Sequence, residues 1–223
     1  MLLPLCVALA FASPAVAKRG NDAITRERGP VFSVAAAPRL GILVGDGTRL
    51  MNQQVGFGAG LQFRVHALRL GPLRIGGELH LGHTRFIDRR TIGLDSGGTA
   101  RRYASLGHTD FALGPSFQLV MGPVFAELGV SAGLGISSFV RPTSAFPSEE
   151  QQLDATSAMI RGGGHFGVPI RNNSSIIFGA AVQKYFSRKK IVQNPDPLEP
   201  EKPADTNPFD MVVEVIVGYR YMF

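Results

Sequence analysis

Five histidines have the widest chemical reach in this chain: His66, His80, His83, His108 and His165. His108 stands two positions before Asp110, and Thr84, Ser96 and Ser105 supply hydroxyls in the same stretch as His83. A hydroxyl, an imidazole and an orienting carboxylate within hydrogen-bond reach would make an acyl-transfer centre. The spacing matches no acyl-transfer motif, and no catalytic residue is assigned from it. His80 and His165, near Glu78, read as hydrogen-bonded core fillers rather than metal ligands. The glycine runs GFGAG and GGGHFG neither open a helix in a βαβ unit nor precede a phosphate-binding Lys-Ser/Thr pair. No metal and no cofactor is expected.

A second set of reactive groups has a clearer logic. Arg39, Arg64, Arg74, Arg161 and Arg220 alternate with large apolar residues along their segments, as do Glu78, Asp110, Glu127, Asp210 and Glu214. The charges therefore share faces with glycine, serine and alanine, opposite a face of branched and aromatic residues. Five of each sign can neutralise one another, which matters because an unpaired buried charge is costly. A simple register across the turn at 69–72 sets Arg64 opposite Glu78.

The elements that carry these groups are strands. In QVGFGAGLQFRVHAL, residues Val55, Phe57, Leu61, Phe63 and Val65 share one face, and Gln62, Arg64 and His66 the other. The same period of two recurs over 73–86, 108–121, 124–137, 158–170, 176–186 and 209–223, and less securely within 31–45, where Pro38 interrupts. Eight strands of this length could each cross a bilayer at a tilt. Short connections at 69–72, 122–123 and 171–175 alternate with long ones near 46–53, 87–107, 138–157 and 187–207. That is the layout of an outer-membrane barrel, with short turns on one side and long loops on the other. The expected fold is all-β, an eight-stranded antiparallel up-and-down transmembrane β-barrel over residues 30–223.

The first 17 residues, MLLPLCVALAFASPAVA, read as a cleaved secretory signal. Residues 18–29 would follow as a periplasmic segment, and both termini would be periplasmic. Cys6, the one cysteine, lies in the signal, so no disulfide is expected. The chain is 44% hydrophobic and 18% charged, too apolar for a disordered protein, and its net charge of +6 suits anionic lipid as well as nucleic acid. No basic-aromatic recognition module is present, so nucleic acid is not an expected partner. A soluble barrel that binds a small ligand would also alternate, with its apolar face inward. The crowding of small residues on the polar face argues against it, because the interior of eight strands has room for little more than side chains.

With these strands and the closing Tyr219, Tyr221 and Phe223, the chain resembles the small OmpA/OmpX-type outer-membrane β-barrels of Gram-negative bacteria. The resemblance implies a monomer held in outer-membrane lipid, with a structural or surface-interaction role and a filled interior that is not a pore. It implies that the three terminal aromatics are read by the outer-membrane assembly machinery. Some barrels of this architecture modify lipid A, which is the alternative function. The loops carry Arg85, Arg89, Arg90, Arg101 and Arg102, then Arg188, Lys189 and Lys190, which could contact lipopolysaccharide phosphates.

Overall fold

A computed structural model of the chain describes residues 31–49, 51–93, 99–142, 150–188, 191–192, 205–207 and 209–223. The proposed signal and the segment at 18–29 lie outside the described residues. Among the described residues there are ten strands: β1 (Val31–Val44), β2 (Val55–Leu70), β3 (Leu73–Gly93), β4 (Thr99–Met121), β5 (Val124–Pro142), β6 (Glu150–Arg171), β7 (Ser174–Tyr185), β8 (Ile191–Val192), β9 (Asp205–Thr206) and β10 (Met211–Met222). Eight of them close into one hydrogen-bonded ring in the order β1-β10-β7-β6-β5-β4-β3-β2, all antiparallel. The short pair β8 and β9 forms a separate ribbon, so the fourth long connection adds no strand to the barrel.

Closure is set by the register. The row that starts at Val34 runs through Phe63, Leu79, Leu113, Ala132, Ile160, Lys184 and Met211 and returns at Val44, ten residues further along β1. Ten residues of rise over eight strand spacings tilt the strands by about 40° and give a backbone radius of about 8 Å. Such a bore is filled by side chains. Gly71 and Gly122 hold φ of 62° and 61° ahead of Pro72 and Pro123, as the first central position of a type II′ hairpin turn requires. The start of β1 and the end of β10 lie at this tight-turn end, where Phe223 N–H donates to Phe32 C=O at 2.9 Å. Pro38 is accommodated because the β1–β10 pairing skips Ala37 and Pro38, while Pro38 keeps Ala59 opposite it on β2.

From the tight-turn end to about the level of Thr109, the outer wall is apolar. Phe63, Leu113, Leu128, Val130, Phe166, Phe178 and Val217 all stand exposed on it. The apolar face is therefore outward, which excludes the soluble small-ligand barrel. Above that level the sidedness reverses. Arg85, Gly107, Ser138 and Asp154 point outward, beside the exposed Ile87 and Tyr103, whereas Phe86, Ala104, Leu106, Phe139 and Met159 are buried inside. This reversal corrects the expected loops at 87–107 and 138–157. Strands β3 to β6 run on through most of both, as a wall with a largely apolar inside and a mixed outside.

Candidate functional site

The interior has two storeys. The lower holds the charges, and its geometry is an alternating chain. Asp110 Oδ1 lies 3.5 Å from Arg39 Nη1, which donates to Glu214 Oε1 at 2.8 Å. Arg161 follows at longer range, 4.0 Å from Glu214 and 3.7 Å from Glu78. Arg64 joins Glu78 at 3.1 Å and Glu127 at 2.7 Å, and Arg220 donates to both Glu127 oxygens at 3.0 and 3.3 Å. Four arginines thus alternate with four carboxylates, and all eight are almost completely buried. Arg64 and Glu78 meet directly across β2 and β3, as the turn register requires.

Histidines fill the gaps. His80 Nε2 lies 2.7 Å from Asp110 and beside the Arg39 guanidinium, His66 lies 3.4 Å from Glu127, and His165 lies 3.3 Å from Arg64. Ser33 accepts from Arg220 at 2.7 Å, and the Arg220 guanidinium sits 4.9 Å over the Phe125 ring. Glycine makes the room. A Cβ on Gly60 or Gly82 would occupy the Arg39 guanidinium, and one on Gly129 would meet the Glu78 carboxylate.

The other two predicted interior charges are Arg74 and Asp210. Arg74 is buried on the same interior face, near the tight-turn end. Asp210 is placed differently. It precedes the first residue of β10, so it sits at the far rim, where it pairs with the half-exposed Lys184 and accepts from Asp46 N–H at 3.3 Å.

The upper storey is an apolar plug. Leu43, Met51, Phe86, Leu106, Phe139, Met159, Tyr185, Phe209 and Val212 form one buried cluster, drawn from the strands and from the connections before β2 and β10. His108 stacks on Tyr185 at 4.6 Å between the edges of Phe86 and Phe209. Sequence reasoning left this plug unrecognised, since its aromatics come singly from separate elements.

The candidate catalytic groups do not converge. His108 faces inward and bonds Ser137 Oγ at 2.8 Å, while His83 faces outward and bonds Thr109 Oγ1 at 2.9 Å. Asp110 is engaged by Arg39 and His80, and Thr84 donates to Glu214 at 3.3 Å. Ser105 lies on the outer face of β4, and Ser96 falls outside the described residues.

Of the predicted lipopolysaccharide contacts, Arg85 and Arg89 are exposed on the outer face of β3, and Arg188 is exposed beyond β7. Arg90 pairs with Arg102 in the β3–β4 ladder, and Arg101 with Thr91. Lys189 and Lys190 lie outside the described residues. Tyr219, Tyr221 and Phe223 all face outward, with the last two rings packed edge to face at 5.0 Å.

No protein-family model matches the chain, and no curated protein matches it. Solved structures do. A major outer membrane protein from Thermus thermophilus aligns with a TM-score of 0.53 at 15% identity, covering 88% of this chain and 100% of that one. Ail, the attachment invasion locus protein of Yersinia pestis, aligns at 0.48 with 12% identity over 87% and 99% of the two chains. Neisserial surface protein A aligns at 0.46 with 13% identity over 87% and 97%. Over most of its length, the chain has the fold of the small eight-stranded outer-membrane β-barrels.

Proposed function

We propose that this protein resides in the bacterial outer membrane as a sealed, surface-presenting barrel without enzymatic activity. The observation that carries the reading is the double sidedness of its wall. An apolar outer belt encloses an ion-paired interior, and above the belt the pattern inverts around a dry plug. Lipid can solvate such a belt, and closure leaves no strand edge without a hydrogen-bond partner in it. The long strands β3 to β6 then rise beyond the outer leaflet and present the connecting loops, with both termini in the periplasm. Tyr219, Tyr221 and Phe223 serve as the assembly signal, a role that deletion of Phe223 checks through the yield of folded barrel in membranes.

The plug and the ion pairs together close the bore. Folded monomer in a planar bilayer is therefore expected to show no large, stable conductance. Sustained channel openings from the unheated monomer would contradict the sealed interior. Lipid-A modification finds less support, because the two histidines available for it face opposite sides of the wall.

A further inference from the structure

An apolar groove of about 780 Å³ runs across the outer wall from β1 to β6. Its line is one register row: Pro38, Ala59, His83, Thr109, Ile136 and Thr156. Pro38 stands seven residues above the start of β1, and Thr156 fifteen residues above the end of β6. The groove therefore climbs from within the apolar belt towards the far rim. Its five strand spacings carry it more than half-way round the eight-stranded ring, and the lower stretch, from Pro38 to His83, crosses two of them, about 10 Å, enough for the first part of a fatty-acyl chain.

Leu61, Leu81, Phe111 and Leu134 wall the lower side. Midway, the polar pair His83 and Thr109 interrupts the apolar lining, both exposed and bonded to each other. One row above His83 stands Arg85, with Arg89 four residues further on the same outer face. No described residue on the outer faces of β2 to β5 is a carboxylate, so nothing there neutralises these two cations across the wall. Asp154, on β6, is three strands from Arg85 and accepts from Gln152.

From this we infer that the lower stretch of the groove, from His83 down to Pro38, seats the first part of one acyl chain of a phosphorylated, multiply acylated lipid of the outer leaflet, the lipid A class. Arg85 and Arg89 hold its phosphate, and His83 with Thr109 meets the polar groups at the root of the chain. A guanidinium suits phosphate because it offers paired donors. The inference rests on the proposed orientation, which places the far rim outside the cell.

The test reconstitutes the protein in vesicles of phosphatidylethanolamine with bis-phosphorylated lipid A, extracts it in mild detergent and reads retained lipid by native mass spectrometry. One lipid A per barrel is expected. Ala59→Phe and Thr109→Phe, which fill the groove from outside, should each cut retention by about tenfold. Arg85→Glu should cut retention of the phosphorylated lipid by about as much while leaving dephosphorylated lipid A unaffected. Unheated gel mobility establishes that each variant is folded. Retention of phosphatidylethanolamine instead, no retained lipid A, or equal retention by all folded variants would overturn the assignment. Failure of the wild type to insert into vesicles would instead remove the membrane reading, and this inference with it.

Discussion

Glu127→Ala is expected to destabilise the folded barrel by about 3–5 kcal/mol, the cost of leaving a buried ion pair broken. Glu127 lies between two arginines, 2.7 Å from Arg64 and 3.0 Å from Arg220, and none of the three side chains reaches water. Removing its carboxylate leaves Arg220 with Ser33 and the Phe125 ring as its remaining partners. Arg64 keeps Glu78, but Glu78 is already shared with Arg161. Urea titration of the protein in detergent, read by the loss of the compact unheated gel band, measures the change. Asp210→Ala is the control. Its partner Lys184 is 47% exposed, so that pair is screened and should contribute no more than about 1 kcal/mol. Equal costs for the two substitutions would mean that the interior charges do not act as a buried, paired set.

Leu113→Arg is expected to cost about 2–4 kcal/mol in a lipid bilayer, the depth-dependent penalty for a cation on the lipid face of a barrel. Leu113 is 63% exposed, and it stands eight residues above Met121 at the tight turn, about 20 Å along the axis at this tilt. Its neighbours on the outer wall are Leu79 and Ala132. On a water-facing surface the same exposed position would tolerate arginine within about 0.5 kcal/mol. The size of the penalty in vesicles therefore separates a lipid-facing wall from a solvated one. Tyr103→Arg on the same face of β4 lies above the reversal and should show no such cost.

The eight crossing strands, and the one register read across the turn at 69–72, were legible in the sequence because the alternation keeps one sign from the tight turns to Thr109. Val55 to Val65 and Val124 to Ile136 show it without interruption. The same rule explains what was misread. Above Thr109 the period of two continues, but Arg85, Arg89, Ser105 and Ser138 now mark the outside, and Phe86, Leu106 and Phe139 the inside. A pattern judged by an outward-apolar sign turns there into apparent loop. Asp210 was misplaced because it keeps the parity of a strand that begins one residue later. The order of the ion pairs was not legible, since it depends on which arginine reaches which carboxylate across the bore. Arg39 and Asp110 belong to strands that share no ladder, yet their side chains meet.

In the proposed reading, one face of each strand meets lipid and the other a packed interior. Single cysteines carrying a fluorophore at Leu113 and Val130, compared with Tyr103 above the reversal, test this in vesicles of brominated lipid. Deep quenching at the first two positions and little at the third is the result that the structure predicts. Equal, weak quenching at all three, with the labels open to water-soluble quenchers, would contradict it.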